Sequence, residues 1–283
     1  MAVVIDGKQL SKNIRDNLKI ECEELKEKGI IPKLAVVMVG NNSASKVYVK
    51  NKSKACEEVG LEFEEFLLDE NTTQEELEKL IEELNQNKEI HGILLQSPIP
   101  KNLDINMAFG KIIPEKDVDG FHPTNVGKLA LNQDTFVSCT PYGIMKMFEE
   151  YKIDLTGKDV VILGRSNIVG KPLLQCCLNK NATVTVCHSK TKNLEEYTKR
   201  ADILISAIGK PNFVTKEMVK DGAIVIDVGI NRLEDGKLVG DVEYSQVEKK
   251  ASYITPVPGG VGPMTIAMLM NNVIKAARNN KNN

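Results

Sequence analysis

Two short, unbroken apolar runs restrict the fold of this chain more than any other feature. Val160-Val161-Ile162-Leu163 and Ile224-Val225-Ile226 are rich in β-branched residues and leave no polar face. That is the pattern of strands buried on both sides of a parallel sheet. Further strands are predicted over Thr183–Cys187 and Ile203–Ala207, and the two runs extend to Asp159–Leu163 and Ala223–Val228, with helices between them. A helix from Pro141 to Tyr151 precedes this block. A short strand at Tyr253–Thr255 and a Gly/Pro loop follow it, then a last helix from Pro263 to Ala277. The alternation predicts a doubly wound sheet.

An earlier block repeats the logic. Gln9–Lys28 has helical periodicity and stops at Gly29. Leu34–Val39 is a buried strand, Ser43–Val59 a helix closed by Gly60, Leu61–Leu68 an alternating strand, Thr73–Asn87 a helix and Ile90–Leu95 a third strand. This βαβαβ order again predicts a parallel sheet. From Gln96 to about Ser138 the chain is loop-rich, with Pro98, Pro100, Pro114 and Pro123; such a stretch is a linker or a binding surface. No internal repeat is visible, and the tail Arg278–Asn283 reads as disordered. With 283 residues available, the expected fold class is α/β: two three-layer α/β domains, the second a Rossmann-like doubly wound parallel sheet, with a cleft between them.

Composition narrows the function. A net charge of −2 gives no bulk attraction to nucleic acid or an anionic membrane, so neither is expected as a partner and any phosphate binding must be local. Six cysteines are present without a C-x-x-C pair, mostly in apolar stretches, and there are only three histidines. Free buried thiols are expected, and no metal site. The N-terminus lacks the pattern of a signal peptide. The longest apolar run, Leu34–Val39, has six residues, against about 20 for a membrane span. A cytoplasmic protein is expected.

The strand ending at Leu163 runs into Gly164-Arg165-Ser166-Asn167-Ile168-Val169-Gly170-Lys171-Pro172 and then a helix. Glycine admits a close backbone approach, and a helix N-terminus offers free N–H groups to a phosphate. The string lacks the G-x-G-x-x-G spacing, and a plain glycine turn stays open as the alternative. The next strand ends Cys187-His188-Ser189-Lys190 without the acid that usually binds the ribose hydroxyls of NAD. Arg165, Ser189 and Lys190 suit a 2′-phosphate instead, so NADP is the expected cofactor. Gly209 and Gly229 follow later strands, where each either touches the cofactor or simply turns the chain.

Ser45, Tyr48 and Lys52 stand at i, i+3 and i+7 of one helix and so share a face. A partly desolvated lysine beside a phenol can move a proton near neutrality. The same helix also carries Lys46, Lys50 and Lys54, and an ordinary exposed lysine is the competing reading. Gln96 places an amide at the end of the third strand. Asp117-Val118-Asp119-Gly120 puts two carboxylates two residues apart; Val126 stands where a calcium loop needs an acid, which excludes that reading. Asp119 is left to bind a hydrogen-bonding heterocycle or to form a turn. Pro256-Val257-Pro258-Gly259-Gly260-Val261-Gly262-Pro263-Met264-Thr265 opens the last helix and lacks a Walker ending.

Taken together and in order, these strings resemble the bifunctional methylenetetrahydrofolate dehydrogenase/cyclohydrolase family. The pieces are Tyr48-x-x-x-Lys52, Gly92 to Pro98, Lys116 to Phe121, Gly164-Arg165-Ser166 with Val169-Gly170-x-Pro172, and Pro256 to Thr265. Ser97 stands where an apolar residue is more usual. The resemblance spans essentially the whole chain. It implies oxidation of 5,10-methylenetetrahydrofolate by NADP⁺ and hydrolysis of the methenyl product to 10-formyltetrahydrofolate, within one-carbon metabolism and purine biosynthesis. It implies Lys52 as the acid/base group of hydrolysis, with Tyr48 positioning folate and tuning Lys52, Gln96 supporting Lys52, and Asp119 binding the pterin edge. Ser45, Pro258, Gly259 and Gly262 are expected to line the substrate site. Gly164, Arg165, Ser166, Ile168, Val169, Ser189, Gly209, Ile230 and Thr265 are expected at the cofactor. No metal is implied, and a homodimer is expected. The expected domains are a folate-binding catalytic domain over 1–139, completed by the helix 268–283, and an NADP-binding domain over 140–267. Two rivals are a shikimate-dehydrogenase-like enzyme, which would lack the Tyr48/Lys52 helix and the Lys116–Gly120 string, and a silent NADP-sensing module, which would bind cofactor without turning over folate.

Overall fold

The structure, a computed structural model, describes residues 1–279. The chain divides into two compact units. A flanking unit takes Lys12–Val137 and the chain from Ile266; a central unit takes Met1–Ser11 and Ser138–Thr265. The first eleven residues, expected with the folate-binding domain, therefore cluster with the central unit. The cause is β1 (Val3–Val4), which forms a parallel edge pair with a late strand, Val3 opposite Tyr253.

The flanking unit contains most of α1 (Gly7–Glu27), then β2 (Lys33–Val39), α2 (Ser43–Val59), β3 (Glu62–Leu68), α3 (Gln74–Gln86), β4 (Gly92–Leu95), α4 (Ile105–Lys111) and α5 (Pro123–Ala130). Its sheet is parallel in the order β3-β2-β4. β2 and β4 are almost wholly buried and take the interior positions. Glu62, Glu64 and Glu65 face solvent from the edge strand β3, where charge discourages pairing with another chain. Val37, Leu77, Ile81 and Ile93 share the core beneath. α2 stops at Gly60, whose φ of 90° returns its N–H to Cys56 O at 2.8 Å. α3 starts with a capping box between Thr73 and Glu76.

The stretch read as loop holds α4 and α5. Each is only two turns long, too short to show a helical period. Both have local starts: Asp104 accepts from Asn106 N and Met107 N, and Pro123 enters at the first turn of α5.

The central unit runs α6 (Cys139–Glu150), β5 (Asp159–Leu163), α7 (Gly170–Leu178), β6 (Thr183–Cys187), α8 (Leu194–Thr198), β7 (Ile203–Ser206), β8 (Ile224–Asp227), β9 (Asn231–Arg232), β10 (Leu238–Val239), α9 (Tyr244–Val247), β11 (Tyr253–Ile254) and the start of α10 (Val261–Asn279). Its sheet order is β1-β11-β8-β7-β5-β6, all parallel, with β9 and β10 as a separate hairpin. β5 is flanked by β6 and β7, so successive connections leave it in opposite directions. That is the topological switch point where open α/β sheets bind ligands.

α10 begins in the central unit and continues in the flanking unit. Arg278 and Asn279, placed in the disordered tail by sequence, are helical; residues 280–283 of that tail lie outside the described residues. All six cysteines are free and buried. Among the described residues, no helix is long and apolar enough to cross a membrane.

Candidate active site

In the flanking unit, α2 carries four lysines. Lys46, Lys50 and Lys54 are exposed, and only Lys52 is half-buried. Its Nζ donates to Gln96 Oε1 at 2.8 Å. Gln96 is buried, and its Nε2 donates to Ser97 O at 2.6 Å, which fixes the amide oxygen toward the lysine. Ser45, also buried, donates from Oγ toward Ser97 O at 3.5 Å. The structure thus brings Ser45, Lys52 and Gln96 together where α2 passes the end of β4. An amide oxygen accepts from an amine in either protonation state, whereas a carboxylate would lock it as the cation. One turn further along α2, burial pushes the Cys56 thiol up to about 12, which makes it inert as a nucleophile. Tyr48 lies one turn before Lys52 and is 43% exposed, presenting a ring to the surface on the same helical face.

The string Lys116–Gly120 divides by role. Lys116 is buried and its Nζ donates to Leu84 O, Asn85 O and Asn87 O at 3.0, 2.8 and 2.6 Å. It satisfies the last carbonyls of α3, and burial lowers its pKa. Asp117 is buried and accepts from Phe121 N (3.1 Å), His122 N (2.8 Å) and Asn125 Nδ2 (2.8 Å). Burial pushes its carboxyl up, against those hydrogen bonds. Val118 fills the space left by Gly92, where a Cβ would come within 2.7 Å of Val118 Cγ1. The turn then closes through Gly120, at φ 74°. Asp119 sits half-buried in that turn, so the neighbours serve the fold and Asp119 is the carboxylate placed nearer the surface.

In the central unit, the segment after β5 has the geometry of a phosphate loop. Gly164 lies at φ 113°, and a Cβ there would collide with Ala207 O, after β7. The loop is therefore pressed into the β5/β7 switch point. Arg165, Ser166 and Ile168 are exposed and Val169 is half-buried. Ser166 Oγ accepts from Val169 N at 3.1 Å and Gly170 N at 3.4 Å, shaping the entry to α7. Ser138 Oγ donates to Ile168 O at 2.6 Å. After β6, Ser189 and Lys190 occupy an exposed turn, held by His188 N to Thr191 Oγ1 (2.9 Å) and Lys190 N to His188 Nδ1 (3.2 Å). No acid stands at that strand end. The residues present fit a 2′-phosphorylated dinucleotide: a glycine cradle, an exposed guanidinium and exposed hydroxyls.

Gly209 has φ 64° and its N–H donates to Asp241 Oδ2 at 3.2 Å, so that amide is already used inside the protein. Ile230 is 47% exposed, and its Cδ1 would lie 3.4 Å from a Cβ on Gly262. Pro258 is exposed, and Gly259, at φ 105°, accepts from Lys8 N at 2.8 Å. Thr265 Oγ1 shares a 3.0 Å hydrogen bond with Thr140 Oγ1. The sequence reading missed Asp227 and Asp241, which bind the loops at this sheet edge. Their one visible signal was an acid ending an apolar strand and a Gly240-Asp241 pair that no motif explains.

A half-buried lysine held by a buried glutamine on one α/β unit and a glycine-cradled switch point on the other define a dinucleotide-dependent α/β enzyme. Comparison with known proteins makes this specific. Residues 5–119 match the family model of the tetrahydrofolate dehydrogenase/cyclohydrolase catalytic domain, and residues 138–281 match that of its NAD(P)-binding domain. The bifunctional protein FolD of Nautilia profundicola is 57% identical over 276 residues, covering 98% of this chain and 97% of the relative. The solved structure of the bifunctional FolD methylenetetrahydrofolate dehydrogenase/cyclohydrolase from Campylobacter jejuni is 54% identical, with a TM-score of 0.98 and 99% of each chain covered. The Trypanosoma brucei dehydrogenase-cyclohydrolase, solved with NADP cofactor and an inhibitor, is 39% identical, with a TM-score of 0.94 and 98% of each chain covered. This chain belongs to the tetrahydrofolate dehydrogenase/cyclohydrolase family.

Proposed function

We propose that this protein oxidises 5,10-methylenetetrahydrofolate with NADP⁺ and hydrolyses the resulting methenyl cation to 10-formyltetrahydrofolate. The observation that carries the reading is the 2.8 Å bond from Lys52 Nζ to Gln96 Oε1, inside the segment that matches the family's catalytic domain.

When bound, NADP⁺ supplies the hydride acceptor for the folate methylene bridge. Gly164, Arg165, Ser166, Ile168, Val169, Ser189, Gly209, Ile230 and Thr265 would hold it, with Arg165 and Ser189 on the 2′-phosphate. Oxidation asks the protein chiefly to align two carbons and requires no dedicated acid. Hydrolysis asks for more. Water must lose a proton as it adds to the methenyl carbon, and a ring nitrogen must gain one as the C–N bond breaks. Lys52 Nζ is the group assigned to move that proton. Gln96 holds it through an uncharged oxygen that accepts from the amine in either protonation state. Tyr48 offers its exposed ring to the folate. Asp119 accepts from the pterin edge, and Ser45, Pro258, Gly259 and Gly262 complete the substrate contacts.

The same reading makes the protein a cytoplasmic homodimer that feeds one-carbon units to purine biosynthesis, with no nucleic-acid or membrane partner. Family membership and the small net charge of −2 support it. The direct test supplies prepared methenyltetrahydrofolate without cofactor and follows the loss of its absorbance. Hydrolysis well above the buffer rate is expected; a rate equal to buffer would refute the cyclohydrolase half.

A further inference from the structure

Two carboxylates at the carboxyl edge of the six-stranded sheet take no part in the reaction just described. Asp241 is wholly buried and Asp227 is 3% exposed. Neither is in an ion pair among the described residues. Asp241 is instead surrounded by five donors. Ser206 Oγ, Ile208 N and Gly209 N reach Oδ2 at 3.1, 2.8 and 3.2 Å, and Lys210 N and Asn231 Nδ2 reach Oδ1 at 2.9 and 3.0 Å.

Three of those donors are the consecutive amides of residues 208–210. A concave run of backbone N–H groups is how proteins cradle phosphates and other anions. Here the chain fills the cradle with its own carboxylate. The turn after β7 thus has no amides left for a phosphate, and what it offers a ligand is its shape. That shape matters because Ala207, just before the turn, is the residue whose carbonyl Gly164 is pressed against. The turn and the phosphate loop are the two sides of the β5/β7 crevice.

Asp227 holds Asp241 in turn. Its Oδ1 accepts from Gly229 N and Asp241 N, both at 2.9 Å, and its Oδ2 accepts from Val242 N at 2.9 Å. Its own N donates to Oγ1 of Thr255, the residue just after β11, at 2.7 Å. Gly229 and Gly240 leave the room for this packing, since a Cβ on either would run into Asp241 or Asp227. One hydrogen-bonded series therefore runs from Thr255 through Asp227 and Asp241 to the turn after β7, and Asn231 adds the segment that carries Ile230.

We propose that Asp241 is a positioning residue of the dinucleotide site, holding the 208–210 turn and the Ile230–Asn231 segment in the shape that bound NADP requires, with Asp227 as its anchor. This rests on the NADP reading above. Asp241→Asn keeps the size of the side chain but sets an NH₂ against donors on one side or the other. An unsatisfied buried pair of this kind should open the turn.

The test uses the full chain as wild type, Asp241→Asn and the milder Asn231→Ala, which removes one donor from a half-buried position. NADP⁺ affinity is measured by calorimetry, beside the dehydrogenase KM and kcat and the cofactor-free hydrolysis of methenyltetrahydrofolate. For Asp241→Asn the expected result is a rise of about tenfold or more in Kd and KM for NADP⁺, with kcat at saturation and hydrolysis changed by less than about threefold. Asn231→Ala should shift Kd the same way by about threefold, and it decides the matter if Asp241→Asn does not fold. Wild-type affinity in the variants would overturn the proposal alone. So would a proportional loss of affinity and hydrolysis, the mark of a purely structural role. A wild-type protein that fails to bind NADP⁺ would overturn both this proposal and the reading beneath it.

Discussion

Lys52 on α2 and Gln96 at the end of β4 meet through a hydrogen bond, Nζ to Oε1 at 2.8 Å. The amide is oriented by its own bond to Ser97 O at 2.6 Å. At this contact the lysine meets an uncharged oxygen, which accepts from the amine in either protonation state, as suits a group that both takes up and gives back a proton.

Replacing Lys52 by Met should remove methenyl hydrolysis, a loss on the order of 10²–10⁴-fold for a general acid/base group. Some dehydrogenase activity should remain, because hydride transfer needs alignment rather than a proton relay. Separate assays of the two reactions check this, and undiminished hydrolysis would remove Lys52 from the mechanism.

Arg165→Ala should raise the KM for NADP⁺ by about tenfold or more while changing the KM for NAD⁺ much less, since only the 2′-phosphate loses a charged, hydrogen-bonding partner. Equal effects on the two cofactors would contradict the assignment of Arg165.

Asp119→Ala should weaken folate binding by about tenfold, the scale of one hydrogen bond to a charged group. Titration with a folate analogue measures it. An unchanged dissociation constant would leave Asp119 as a turn residue only.

Burial pushes the Asp227 carboxyl up to about 6 from its ordinary 3.8; three backbone N–H bonds oppose the shift and the neighbouring Asp241 charge adds to it. The folded protein therefore holds this proton more tightly than the unfolded chain. The corresponding stability is fully present below about pH 3.8 and is lost as pH rises through about 6. Asp227→Asn cannot titrate. Between pH 5 and pH 8 the wild type should lose about 1 kcal/mol more unfolding free energy than the variant. Urea unfolding of both proteins at the two pH values measures this, and parallel behaviour would contradict it.

Much of the fold was legible because its strands are short apolar runs bounded by glycine. β5 and β6 were placed to the residue, and Gly60 marked the end of α2 correctly. What escaped was either too short to carry a period or held from a distance. β1, β9 and β10 have two residues each, and α4 and α5 lie among prolines. At the site, the helical spacing of Ser45, Tyr48 and Lys52 was readable, but only burial separates Lys52 from the three exposed lysines beside it. Asp227 and Asp241 left almost no trace. Many of their partners are backbone amides, and Asp241 reaches Ile208 33 residues back along the chain; a contact to a main-chain group leaves no side-chain pattern to find.

The most direct test of the central claim follows reduced cofactor and methenyl absorbance together, with 5,10-methylenetetrahydrofolate and either NADP⁺ or NAD⁺. The account predicts reduction of NADP⁺ in preference to NAD⁺, with little methenyl accumulating because Lys52 consumes it. Methenyl rising in step with reduced cofactor would contradict the cyclohydrolase assignment, and no reduction of either dinucleotide would contradict the enzyme itself.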